Sequence, residues 1–292
     1  MMVWDGVVAC DLFLAGLGAG AFLLSILAGW APGGSKKIRL IGSIVGPVAV
    51  AAGALTLMID AKAGLGDPLR FFYLITNLGS PMTWGVLCLS IFLVVSVASL
   101  VVQLCRKDVP RALDVLGIVC AAGVATYTGV LLGYSASYPL WNLAVLPFLF
   151  VCSAALTGFA FVSAVAYFAA RDELEKIGFL PKAEVALPVL VGLFLLVLLA
   201  VTATTGGEAG AVAATATVQG MLAGSNALVF WLGVVVCGIA VPLVAGVVRL
   251  RSAGRGVTGL SLAGYAAACI GGFALRYVIV VAAVGMTMGA GF

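Results

Sequence analysis

The sequence predicts an all-α integral membrane protein, a bundle of eight transmembrane helices with both termini outside. Three observations carry that prediction. Apolar residues make up 64% of the 292 and charged residues 9%, with a mean hydropathy of +1.26. A helix needs about 20 largely apolar residues to cross the roughly 30 Å hydrocarbon layer, and eight stretches meet that requirement. Lysine and arginine gather in alternate loops, the pattern that sets orientation in a bilayer. No soluble domain is evident, so residues 1–292 read as a single integral membrane domain.

The first span, 6–30, follows no basic stretch and contains Asp11, with Asp5 just before it; it reads as a retained span and not a cleaved signal. Its Gly16-Leu17-Gly18-Ala19-Gly20 run suits close helix packing in lipid. The second span, 40–61, ends at Asp60, which can cap the helix or pair with Arg70. The third, 82–104, follows Pro81. The fourth, 113–133, has Asp114 in its first turn, where the helix dipole favours a carboxylate. The fifth, sixth and seventh fall at 143–169, 185–204 and 226–250. The eighth, 261–285, contains Arg276, which must point into the bundle and find an acceptor there.

The odd-numbered loops carry Lys36, Lys37 and Arg39; Arg106, Lys107 and Arg111; Arg171, Lys176 and Lys182; and Arg249, Arg251 and Arg255. Those are 12 of the 15 basic residues; the even loops hold Lys62 and Arg70 alone. Odd loops are therefore expected on the cytoplasmic side. The net charge of +4 reflects this topology and does not point to nucleic acid. The two longest loops, about 62–81 and 205–225, fall on the outer side, where a partner would dock. At an offset of 137, Trp4, Leu12, Phe13 and Phe22 match Trp141, Leu149, Phe150 and Phe159. This suggests two four-helix halves related as a parallel repeat.

Residue types exclude some chemistry. There is no histidine, the usual axial ligand of a b-type haem. The seven cysteines are dispersed, with no metal-ligand spacing. Neither haem nor a metal is expected in this chain. Intramembrane charge is costly and needs a reason. Asp11 lies about five residues into the membrane, roughly 8 Å at 1.5 Å per residue, and Tyr127 about six residues from the outer end of the fourth span, roughly 9 Å. A carboxylate and a phenol at matching depth can hold the two oxygens of a quinone ring, and the carboxylate can accept a proton when quinol is oxidised. They can equally be an inter-helix brace and an interfacial aromatic. Asp60 and Arg276 remain either part of a proton path or structural charge.

Three sets of residues carry a resemblance. The first is Asp60-Ala61, Asp67-Pro68-Leu69-Arg70-Phe71-Phe72 and Ser80-Pro81-Met82-Thr83-Trp84-Gly85. The second is Tyr127-Thr128-Gly129 with Pro139-Leu140-Trp141-Asn142, Leu146-Pro147 and Leu149-Phe150. The third is Gly272-Phe273 followed by Leu275-Arg276-Tyr277. In order and spacing they resemble the NrfD/PsrC family of haem-free, quinone-reactive membrane subunits of respiratory oxidoreductases. The resemblance implies a quinone (menaquinone or ubiquinone) near the outer face, bounded by polar residues of the first helix and a tyrosine of the fourth. Asp11 then takes the place of a first-helix histidine, Tyr127 matches the tyrosine, and Thr128 stands beside it in the site. The family's second polar position falls at about Val8, a departure that alters the expected hydrogen bonds.

The resemblance further implies a ferredoxin-like four-cluster iron–sulfur subunit on the outer face and, often, a molybdopterin catalytic subunit, in a prokaryotic cytoplasmic membrane. The expected function is electron exchange between the quinone pool and that outer subunit, with Asp11 as proton acceptor. Two other readings stand beside it. One is a secondary transporter; the other is a passive anchor whose quinone site is lost.

Overall fold

A computed structural model describes residues 6–32, 34–60, 79, 81–105, 108–135, 137–252 and 257–286, with side chains at 57–60 and 208 excepted. The eight spans are present as long apolar helices. They are α1 (Gly6–Trp30), α2 (Lys36–Asp60), α3 (Pro81–Leu104), α4 (Arg111–Gly133), α5 (Leu146–Ala169), α7 (Leu180–Ala203), α9 (Val229–Arg251) and α10 (Gly259–Val281). Two shorter helices join them, α6 (Arg171–Leu174) and α8 (Glu208–Leu222).

Where boundaries differ from the sequence expectation, local chemistry explains the shift. α2 starts four residues early because the Ser35 hydroxyl accepts the amide of Ile38 as an N-cap. α7 starts five residues early, with Pro181 in its first turn, where a missing amide hydrogen costs nothing. α5 starts late because Asn142 holds a turn, its side-chain oxygen accepting the amide of Ala144. α10 ends at Val281, and the polypeptide then crosses neighbouring segments, the Val284 amide donating to Thr217 and the Met286 amide to the Ser137 carbonyl. The segment 205–225, expected as a loop, is largely α8. At 15 residues it is too short to span, so hydropathy gave no signal for it. α9 is wound in the wide π manner over Val229–Ala240 and tightens to an α-helix at Val241–Arg251, where Pro242 lacks an amide hydrogen.

α1 is the most buried span and lies at the centre, against α2, α4, α5 and α10. Helices α1 to α4 close one ring of neighbours; α5, α7, α9 and α10 close another in the same order. The rings join where α1 meets α5, α1 meets α10 and α4 meets α5. Exchanging the halves reproduces that pattern, which is the arrangement expected of a parallel repeat. The α1–α5 seam needs bare backbone: a Cβ on Gly20 would run into the Ala154 carbonyl, and one on Gly158 into the backbone of Gly20 and Ala21.

The odd-loop segments meet at one end of the bundle, the basic end. There Arg39 Nη2 pairs with Asp114 Oδ1 at 2.6 Å, and Trp30 Nε1 donates to Asp114 Oδ2 at 2.9 Å. Ser35 donates to Glu173, and Lys37 lies 3.5 Å from the same carboxylate. Arg171 reaches the Val257 carbonyl, and the Val257 amide donates to Glu175 at 3.0 Å. Arg249 is not a loop charge. It sits on α9, 7% exposed, bound to Glu184 of α7 and to the Tyr265 hydroxyl of α10 at 2.7 Å. Arg106, Lys107 and Arg255 lie outside the described residues.

Candidate functional site

Asp11, Tyr127 and Arg276 all lie toward the end opposite the basic one. Asp11 is on the second turn of α1, whose far end carries Trp30. Tyr127 and Arg276 are near the ends of α4 and α10, which start at the basic end.

Asp11 is 6% exposed and faces α2 at Gly53. The missing side chain makes that room: a Cβ on Gly53 would stand 3.1 Å from Asp11 Oδ1 and 3.2 Å from its carbonyl oxygen. Oδ1 is buried and has no hydrogen-bond partner among the described residues. A buried carboxylate oxygen normally finds a donor, and an unsatisfied one in a native fold calls for a reason such as a ligand or a catalytic role. No described residue braces Asp11 through that oxygen.

The Tyr127 ring lies on the backbone of Gly85 in α3, in the space that any larger residue would fill. The phenol is half-buried and within Coulombic range of the Asp11 carboxylate. It is also in range of the Cys88 thiol, one turn along α3 from Gly85. Thr128 is buried beside it, and its hydroxyl donates to the Ala125 carbonyl at 2.7 Å. That uses its one proton within the helix and leaves Thr128 able only to accept. Gly129 packs against the backbone of Leu146 and Pro147, so α4 and α5 touch just behind the tyrosine.

Arg276 is fully buried. Its Nε donates to the Leu12 carbonyl at 3.1 Å, and Nη1 donates to Ser153 Oγ at 2.9 Å and the Gly272 carbonyl at 3.1 Å. The guanidinium lies 5.9 Å from the Phe13 ring centre and 5.2 Å from that of Phe150. These two phenylalanines are matched at the offset of 137, so the cation sits where the two halves meet. A Cβ at Gly16 would collide with Arg276 Nη2, so the glycine is what admits the guanidinium. Arg276 therefore clamps α10 to α1 and α5, the architectural alternative for this charge. Asp60 ends α2 at the same end of the bundle; its side chain, and Arg70 with it, lie outside the described residues.

Sequence reasoning marked Asp11 and Tyr127 but missed what seats them. Gly53 and Gly85 do so by lacking side chains. Gly85 stood in plain view within a motif, but glycine occurs 38 times in the chain. Among the described residues the seven cysteines are free thiols, and no three potential metal ligands cluster.

A family profile described as polysulphide reductase, NrfD, matches residues 1–287. The C subunit of polysulfide reductase from Wolinella succinogenes is 33% identical over 272 residues, covering 84% of this protein and 83% of the relative. An NrfD homolog of Haemophilus influenzae is 31% identical over 280 residues, with 84% and 83% covered. NrfD of Escherichia coli is 30% identical over 317 residues, with 96% and 95% covered.

Proposed function

The chain belongs to the NrfD polysulphide reductase family and is thus a multi-pass inner-membrane subunit of a prokaryotic redox complex; we propose that it is the subunit that reacts with quinone. The observation that carries this reading is the unpartnered Oδ1 of Asp11, buried within Coulombic range of the Tyr127 phenol. A quinol ring between α1, α3 and α4 would place one hydroxyl on the carboxylate and the other on the phenol. Oxidation of quinol releases two electrons and two protons. Asp11 accepts the first proton and passes it to the near surface, then accepts the second. Tyr127 donates a hydrogen bond to the ring oxygen and fixes the ring's orientation. The electrons leave for an iron–sulfur subunit docked on that face, for which the Wolinella succinogenes relative, named as one lettered part of polysulfide reductase, is the precedent. A molybdopterin subunit beyond it would complete the route. Quinone reduction uses the same parts in reverse. The redox centres belong to the partners; this subunit binds, orients and handles protons.

On this reading the basic end faces the cytoplasm and the Asp11 end faces outward. Family membership leaves a transporter role without support. Extraction and quantification of quinone from the purified complex tests the proposal. About one quinone per subunit, lost in a Gly85→Leu variant that fills the Tyr127 seat, is the expected result. A fully assembled, active complex that holds no quinone and does not oxidise quinol would leave the subunit as a passive anchor.

A further inference from the structure

At the basic end a cleft of about 440 Å³ opens between the α1–α2 turn and the residues that lead into α4. Lys36, Arg39 and Gln103 line one part of it and Asp108 another, with the bare backbone of Gly29 and Gly34 forming part of the wall. None of these residues belongs to the Asp11–Tyr127 site. The cleft lies at the level of lipid headgroups. Trp30, 45% exposed, ends α1 beside it and donates its indole hydrogen to Asp114, the arrangement of an interfacial aromatic.

The polar groups define an occupant. Arg39 is held in place from behind, its Nη2 on Asp114 at 2.6 Å. Its Nη1 lies against Gly29 and has no hydrogen-bond acceptor among the described residues. Gln103 is fixed by bonds from its amide nitrogen to Ser43 at 2.8 Å and Ser99 at 3.3 Å. Lys36 is exposed and in no ion pair among the described residues, and Asp108 on the other part of the wall is likewise exposed and unpaired among them. Arg39 is already balanced by Asp114, so the free charges are one cation and one anion. A purely anionic guest would satisfy Lys36 and Arg39 but would face the Asp108 carboxylate. A guest with a phosphate and an ammonium satisfies all three.

We propose that this cleft binds the headgroup of a zwitterionic aminophospholipid, the phosphate against Lys36 and Arg39 Nη1 and the primary ammonium against Asp108. The acyl tails leave past Trp30 and Leu40 into the adjoining leaflet. Arg106 and Lys107 of the same connection lie outside the described residues and form no part of the site.

The full-length protein, in its complex, is reconstituted in nanodiscs of equal parts phosphatidylethanolamine and phosphatidylglycerol. It is then washed in detergent, and the retained lipid is measured by mass spectrometry. Phosphatidylethanolamine is expected to be retained over phosphatidylglycerol by about fivefold, the order of one favourable surface charge contact. Asp108→Asn should bring the two lipids to parity, and Lys36→Gln should lower retention of both. Both residues are exposed, so the fold should survive, and an unchanged melting temperature checks this. Equal retention in the unaltered protein, or a preference for phosphatidylglycerol, overturns the proposal. So does a preference that both variants leave intact. If inorganic phosphate at millimolar concentration displaces the lipid completely, the cleft is a site for a free anion and the proposal also fails.

Discussion

The Tyr127 ring rests on the Gly85 backbone, in space that even one methyl group would occupy. Two segments more than forty residues apart thus meet as a side chain and the absence of one. Gly85→Ala must move the phenol or push α3 from α4. Overpacking of this kind costs about 1–3 kcal/mol. The expected outcome is an assembled complex with a lower melting temperature and quinol turnover reduced at least as far as in Tyr127→Phe. Turnover equal to that of the unaltered complex would separate Tyr127 from the reaction.

Asp11→Asn and Tyr127→Phe should differ in degree. The first keeps volume and removes the proton acceptor, a loss that typically costs about 10²–10⁴ in rate. The second removes one neutral hydrogen bond, worth about 0.5–1.5 kcal/mol, and should weaken quinol binding roughly threefold to tenfold. Steady-state kinetics with a soluble quinol analogue distinguish a fall in kcat from a rise in KM. An artificial donor feeding electrons directly into the outer subunits should be unaffected by either change. Quinol turnover that survives Asp11→Asn would make Asp11 structural.

Arg39→Ala would leave Asp114, 2% exposed, with the Trp30 indole as its remaining donor among the described residues. Removing one partner of a buried pair costs about 3–5 kcal/mol. The double variant Arg39→Ala with Asp114→Ala should recover much of that loss, because no charge is then stranded. Thermal unfolding of the four proteins of this cycle gives the coupling directly; additive losses would show that the pair is not coupled.

Acid should loosen the basic end through Glu173. A hydrogen bond from the Ser35 hydroxyl holds its carboxyl below the usual carboxylate range, helped by the Lys37 amide and charge. The folded value therefore lies below the unfolded one, about 4.3. The stabilisation is complete above the unfolded value and is lost as pH falls through the folded one. Between pH 7 and pH 3.5 the unaltered protein should lose more melting temperature than Glu173→Gln, in which this contribution is absent throughout. Parallel curves would remove Glu173 from the acid response.

Orientation is checked by single cysteines placed at Lys36, Arg106, Lys176 and Arg251 in a background without the native seven. An impermeant thiol reagent should reach all four from the cytoplasmic side. Labelling of position 251 from outside alone would invert the topology and put the Asp11 site on the cytoplasmic face.

How much was legible beforehand follows from what kind of signal each feature leaves. The spans were readable because crossing a bilayer imposes length and apolarity together. Asp11 stood out because a carboxylate at that depth has no cheap explanation. The starts of α2 and α7 were not readable from hydropathy. Ser35 and Pro181 begin helices among lysines, whose long side chains keep their charges in water while the backbone is already helical. α8 was missed because alanine and threonine in a 15-residue stretch give neither a spanning signal nor a strong face. Arg249 was taken for a loop charge, since its partner Glu184 lies 65 residues away. Gly53 and Gly85 were illegible as seats because their role is an empty volume, which has meaning only against a neighbour.

The bond from Arg276 to the Leu12 carbonyl joins residues 264 apart, close to the whole length of the polypeptide. A helix inserted near the start of synthesis thus acquires one of its main neighbours only when the last helix arrives. Until then α1 carries an uncovered face and Gly16 an unfilled notch, and the protein cannot reach its final packing while still on the ribosome. When α10 enters, its guanidinium does not have to wait in lipid, because Ser153 and Leu12 are already in place to receive it. Quality control of the nascent protein is then naturally read at its end. A product truncated before α10 would lack the one group that ties both rings together and would remain open to proteolysis.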